Sequence, residues 1–358
     1  MSRVQGSPGR SLRQYMALPI VVVLALVMML AAYGTASEAA TSKTRYTIGF
    51  SNPEGTQPVL DVFQQALTKA ASRVGIKVTS LNAALTVGKQ VSDIQQFIND
   101  KVKAIVVFPL AGPPLIPVLT AARKAGIVVL GYNAVTAEKS TASAMYPFSA
   151  DINQGIIHEG ARLAAAFMVK ELHGKGNVLG VDIAAPVPSL HAFMASEEHD
   201  ITSGHPGIHW LETVSDQTDN IAGAAGPVAD ALTKYHNDVA GVMAYFDGAG
   251  IGAAQALKAA GVKAVVVGQQ GNSTGIAAVK SGKLSATIDE MPYNQALIAL
   301  TMVRDLVAGK TKAVPLVVHP PVKLVTKANL RTYVSWTAAL AKIAKGTLRP
   351  PATVSING

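Results

Sequence analysis

The sequence predicts an α/β protein of two lobes, each a parallel sheet covered on both faces by helices. Three observations predict it. Short, apolar, β-branched runs recur along the chain, and a longer stretch of helical periodicity follows most of them. Strands with no polar alternation are buried on both faces, and the intervening helices supply the cover. The chain of 358 residues is 49% apolar and 15% charged, enough to fill two cores and far from a disordered composition.

The first series opens with RYTIGFS (45–51) and a helix at 57–74. IKVTSL (76–81) precedes a helix at 86–101, AIVVF (104–108) precedes one at 113–125, and IVVLGY (127–132) ends the series. The second opens with AMYPFSA (144–150) and a helix at 152–172. NVLGVDI (177–183), HWLETVS (209–215), AGVMAYF (240–246), KAVVVG (263–268) and LSATIDE (284–290) follow, with helices between. Gly75, Gly126 and Gly261 close helical runs, where a left-handed residue is wanted. Asp151 and Asp247 stand just ahead of helices and read as caps. NLRTYVSWTAALAKIAKG (329–346) reads as a terminal helix with an apolar stripe at 334, 338, 341 and 344, packed on one lobe. Ligands of open α/β sheets bind beyond the carboxyl ends of the strands, so two facing lobes would make a cleft there.

The N-terminus reads as an address. Residues 1–15 carry Arg3, Arg10 and Arg13 and no acid, residues 16–32 (MALPIVVVLALVMMLAA) are uncharged, and small residues follow at 34–40. Basic, apolar, then small is the order of an export signal, cleaved after Ala36 or Ala39, or retained as an anchor. The absence of cysteine excludes disulfides, thiolate metal sites and cysteine nucleophiles. The net charge of +9 is scattered, without the basic face that nucleic acid requires, so no nucleic-acid partner is expected.

Competing motifs fail on spacing. Gly248-Ala249-Gly250-Ile251-Gly252-Ala253 follows a strand like a dinucleotide fingerprint, but the acidic residue wanted at the next strand end is replaced by Gly268-Gln269-Gln270. Tight helix–strand packing accounts for these glycines instead. Gly309-Lys310-Thr311 imitates a phosphate loop, but Arg304 holds the place of its first glycine. His199, His205 and His209 sit in a Gly/Pro-containing surface stretch and are not read as metal ligands. No serine stands in a nucleophile elbow. Neither cofactor nor enzymatic turnover is expected.

From 45 to about 325 the chain resembles the type I periplasmic sugar-binding proteins of the ribose-binding group. The segments TIGFSNPEGTQPV, VSDIQQFINDKVKAIVVFPL, SADINQGIIHEGARLAAAF, DVAGVMAYFDGAGIGAAQALKAAG, VVVGQQGNSTGIAAVKSGKLSATIDEMP and LVAGKTKAVP carry it, in the family's order. The resemblance implies two Rossmann-like lobes joined by three hinge crossings. Residues 45–149 with 291–318 would form the N-terminal lobe, 150–290 with 319–326 the C-terminal lobe, and 327–358 a helical tail. It also implies a monomer that traps a small ligand and delivers it to the permease and ATPase subunits of an ABC importer.

Carried over residue by residue, the family's ligand contacts fall on Gln57, Asn133, His191, Phe246, Asp247, Gln270 and Glu290, with Tyr132 and Phe246 as apolar walls. The paired stacking aromatics fall on Val59 and Leu60, so that platform is missing. Two carboxylates of the family become amides here, and two arginines become Ala134 and His191. Amides both donate and accept, so the lining still suits a sugar or polyol. A ligand with one positive group opposite Glu290 also fits. The same fold could alternatively sense a ligand for a membrane receptor, or host an enzyme.

Overall fold

The computed structural model of the protein describes residue 2 and residues 44–355 except 138 and 154. The apolar segment 16–32 and both cleavage positions lie outside the described residues.

Six parallel strands form the first sheet, in the order β11-β5-β4-β3-β1-β2. They are β1 (Tyr46–Asn52), β2 (Ile76–Asn82), β3 (Ala104–Val107), β4 (Val128–Tyr132), β5 (Ala150–Ile152) and β11 (Val317–Val318). Helices α1 (Pro58–Ser72), α2 (Val87–Asn99) and α3 (Gly112–Lys124) connect the first four strands. Pro58 begins α1 at the position where its missing N–H costs nothing. One face of α1 buries Val59, Leu60, Phe63, Ala66, Leu67, Ala70 and Ala71, the i, i+4, i+7 rhythm of a sheet-covering helix. Phe63 is fully buried and packs against Phe50 and Tyr132, a burial that contributes about 1.5–3 kcal/mol. On the opposite side of the sheet, Gly49 lies under the ring of Phe97 from α2, where any Cβ would collide.

The second sheet has the order β12-β10-β9-β8-β6-β7 and is parallel except at its β12 edge. Its strands are β6 (Gly176–Ile183), β7 (Ile208–Asp216), β8 (Gly241–Ala244), β9 (Val265–Gln270), β10 (Ala286–Asp289) and β12 (Lys323–Thr326). Around them lie α5 (Ala161–Glu171), α6 (Pro188–Thr202), α7 (Ile221–Lys234), α8 (Asp247–Ala259) and α9 (Ser273–Ser281), after the short α4 (Ala142–Met145) in the preceding stretch. Gly252 of α8 lies directly on the backbone of Ile221 in α7, a helix–helix contact, while Gly250 lies against Leu284 and against Gly268 of the sheet, the helix–strand packing expected. Gly75, Gly126 and Gly261 take positive φ after their helices, as expected.

The chain crosses between the sheets after β5, after β10, and between β11 and β12. After β10, α10 (Pro292–Val307) returns to pack on α1, β3 and β4. We assign one lobe to each sheet.

Three local expectations are corrected. The run 144–150 is not one strand: α4 and a turn precede β5, which joins the first sheet and moves that crossing beyond Ile152. Asp151 caps no helix. Its buried carboxylate accepts the N–H groups of Ala134 and Val135 and so pins the loop after β4. The terminal helix α11 (Trp336–Lys345) buries Trp336, Ala339 and Ile343 rather than the stripe through Val334, Ala338, Ala341 and Ala344, which is exposed. The large Trp336 and Ile343 set the buried face, because they remove more apolar area from water than alanines do.

Candidate functional site

A cavity of about 60 Å³ lies between the two lobes at the carboxyl ends of their strands, lined by Gln57, Asp219, Tyr245, Gln269, Gln270 and Glu290 among others. Gln57, just ahead of α1, spans the gap. Its Nε2 donates to Asp219 Oδ2 at 2.7 Å, and its Oε1 accepts from Gln270 Nε2 at 3.1 Å. Asp219 also accepts the Tyr245 hydroxyl at 2.7 Å. One side chain of the first lobe thus bonds two residues of the second, and the lobes stand closed over the cavity. Gln270 Oε1 accepts from Asn272 Nδ2 at 3.0 Å. Val59, Leu60 and Phe108 add apolar wall, so the positions expected for a stacking platform do line the cavity, in aliphatic form.

Backbone strain collects at these strand ends. Asn133, Asp219, Gln270 and Met291 all have positive φ, 57°, 52°, 100° and 48°. For Gln and Met this conformation is costly and is held by the surrounding structure. Asp247 supplies part of that hold at Gln270. Its Oδ2 accepts the N–H groups of Gly271 and Asn272, and its Oδ1 accepts the Thr287 hydroxyl at 2.6 Å. Asp247 is therefore neither a helix cap nor a cavity residue. It is fully buried behind the turn that presents Gln270.

Of the residues singled out in the sequence, Gln57, Gln270 and Glu290 meet in this cavity. Asn133 lies in a separate cavity of about 410 Å³, between the loop after β4 and Pro188. Tyr132 is fully buried in the first lobe, stacked on Phe63 at 4.3 Å, so it forms no cleft wall. Its hydroxyl donates to Gln295 Oε1 at 2.5 Å, and Gln295 Nε2 donates to the Glu290 carbonyl at 2.6 Å. Tyr132 thus steadies the hinge. Phe246 is buried with its ring against Tyr245 and over Gly248, outside the cavity. His191 is exposed and pairs with Asp182 at 2.6 Å, while the preceding residue, Leu190, takes the cavity face.

The sequence reading missed Asp219, Tyr245 and Gln269. The parity after β8 was the available signal: adjacent residues point to opposite sides, and Tyr245 rather than Phe246 points inward. Gln269 stands beside a residue already named. Asp219 lies in the turn TDN between β7 and α7, where Asp also serves as an ordinary turn residue.

The site is acidic. Burial pushes the Glu290 carboxyl up to about 8, against the hydrogen bond from Gln269, and the nearby Asp247 and Asp289 push it further. Glu290 Oε1 accepts that bond at 2.7 Å, and Oε2 has no hydrogen-bond partner. Burial raises Asp219 to about 6. The bonds from Tyr245 and Gln57 oppose the rise, while Asp216 and Glu54 add to it. Glu54, Asp219 and Glu290 line the cavity, and no Lys, Arg or His is among its lining residues.

The architecture agrees with comparisons to known proteins. The model of the periplasmic binding protein domain matches residues 48–311. The ribose import binding protein of Bacillus subtilis is 27% identical over 288 residues, 80% of this chain and 89% of that protein. A xylitol-binding protein of Mycolicibacterium smegmatis is 29% identical over 249 residues, 68% of this chain and 67% of its own length. An ABC transporter solute-binding protein of Bacillus halodurans, solved with bound myo-inositol, superposes with a TM-score of 0.70 at 20% identity, covering 82% of this chain and 98% of that one. With the family model spanning most of its length, the chain belongs to the periplasmic binding protein domain family.

Proposed function

We propose that the protein is an exported solute receptor that traps a small polyhydroxylated ligand, a sugar or polyol, between its lobes and hands it to an ABC importer. The carrying observation is the bridge from Gln57 to Asp219 and Gln270 across the interlobe cavity. A ligand hydroxyl can take the place of either partner, because amides and carboxylates supply donors and acceptors without altering the fold. Separation of the lobes exposes these groups to water. Closure on a ligand re-pairs them, and a solute that leaves one unpaired is rejected. Val59, Leu60 and Phe108 then cover the apolar face of the ligand. The relatives compared above are named for ribose and xylitol. The role is capture and release outside the cytoplasmic membrane, with no bond made or broken and with permease and ATPase subunits as partners.

The test is a thermal-shift screen of the purified protein against sugars, polyols and cyclitols, followed by calorimetry. A ligand at 100 times its Kd adds about 2.7 kcal/mol of stability. The expected result is a shift by one class of polyol that is lost in Gln270→Ala. A flat screen, or conversion of a bound ligand to product, overturns the reading.

A further inference from the structure

We infer that the preferred ligand is cationic: an amino-substituted polyol whose ammonium is received by Glu290. This rests on the polyol reading above and names the ligand class within it.

Glu290 is buried, lines the cavity, and has one carboxyl oxygen without a hydrogen-bond partner. A buried acceptor left unpaired is destabilising, and no donor among the described residues relieves it. Gln269 satisfies only the other oxygen, and Gln295 reaches the backbone carbonyl instead. Gln269 Oε1 also lacks a hydrogen-bond partner, so a ligand with several donors can complete both groups. The charges around the cavity then say which kind of donor. Glu54, Asp219 and Glu290 line it, Asp216 stands behind Asp219, and Asp247 and Asp289 stand behind Glu290. No lining residue is cationic.

Burial raises Glu290 to about 8, so its carboxyl keeps its proton in the ligand-free cavity near neutral pH; a hydroxyl leaves it so, whereas a cation beside it lets it ionise. An ammonium carries three donors, no acceptor and the opposite charge, and it acts where low polarizability strengthens the attraction. Anionic ligands such as uronates or sugar phosphates find no counter-charge here. The remaining lining matches the rest of such a molecule. Gln57, Gln269 and Gln270 pair with hydroxyls, and Val59, Leu60 and Phe108 cover a ring face.

The experiment is calorimetry and thermal shift of the full chain near pH 6.5 with matched pairs. These are D-glucosamine with D-glucose, D-galactosamine with D-galactose, and amino-deoxy-myo-inositol with myo-inositol. The expected result is that, in at least one pair, the amine binds about 10-fold more tightly or better, the margin of a charge-assisted bond over a neutral one. In Glu290→Gln the ratio within that pair should fall towards one. The wild-type ratio stands as a test whether or not the variant folds. A neutral member that binds as tightly as its amine, or more tightly, overturns the inference and leaves the polyol reading standing. No binding by either member of any pair counts against the polyol reading itself and takes the inference with it.

Discussion

Gln57 is the residue on which the site turns, because its amide is the only side chain in the cavity described here as bonding two residues of the opposite lobe. Gln57→Ala removes that amide and leaves Asp219 and Gln270 each short of a partner. The expected loss of affinity for a ligand found by screening is about 10- to 100-fold, read by calorimetry. Binding within threefold of the wild type would remove Gln57 from the ligand's contacts. A second residue-scale prediction follows from the buried acids. Burial is the main cause that raises Asp151 and Asp247 to about 7 and Glu290 to about 8. The folded protein therefore holds protons that the unfolded chain has already released above the ordinary carboxylate range. Since the native state binds more protons in this window, stability falls as pH rises from about 5 to 8. Thermal unfolding of the ligand-free protein should show a Tm several degrees lower at pH 8 than at pH 5.5. Glu290→Gln should flatten part of that slope, and an unchanged slope would mean that Glu290 does not titrate in this range.

Among the elements, α7 and α8 show how glycine spacing serves packing. Gly252 meets the backbone of Ile221, so a methyl group there would have to push the two helices apart. Gly252→Ala is expected to cost about 1–3 kcal/mol in chemical denaturation, the usual range for overpacking. A neutral effect would contradict the closeness of that pair. The same glycines imitate a dinucleotide fingerprint, which shows why a motif needs its partner residue before it carries function. At the strand ends the elements also divide labour. Asp247 and Asp151, each behind a loop, hold backbone N–H groups, while the strand ends and turns they support carry the buried Gln270 and Asn133. The sequence marked Asn133 and Gln270 as residues following strands, and Asp151 and Asp247 as caps ahead of helices. Which two stand behind the loops is set by hydrogen bonds to N–H groups that are distant in sequence.

For the whole molecule, the C-terminal tail ties the lobes together beyond the region matched by the family model. Trp336 Nε1 donates to Asp289 Oδ1 at 2.9 Å beside the hinge, and the Tyr333 hydroxyl donates to the Gly271 carbonyl at 3.0 Å in the second lobe. Further along, α11 packs on α1 and α10 of the first lobe, and Arg73 donates to the Ala344 carbonyl at 2.9 Å. Removing residues 327–358 would uncover the surface under Trp336 and Ile343 and cut both links to the second lobe. The expected outcome is a Tm lower by about 5 °C or more. In Trp336→Phe the ring burial is kept and the bond to Asp289 is lost, at about 1 kcal/mol. A truncated chain with unchanged Tm would show that the tail does not contribute to stability.

The sequence by itself determined the class of the molecule. Two series of doubly buried strands with helices between them can bury their apolar faces only as two helix-covered sheets, and ligand sites of such sheets lie at the strand ends. It also determined three residues that meet in the cavity, Gln57, Gln270 and Glu290, because each lies at or next to the end of a regular element. Only the tertiary structure decided which neighbour of a pair faces the ligand space: Tyr245 over Phe246, and Leu190 over His191. It also turned Tyr132 into a support for the hinge and brought Asp219 from a distant turn to Gln57. The reason is physical. Strand and helix patterns are local and repeat along the chain, whereas side-chain direction at a strained strand end depends on hydrogen bonds and packing between lobes far apart in sequence.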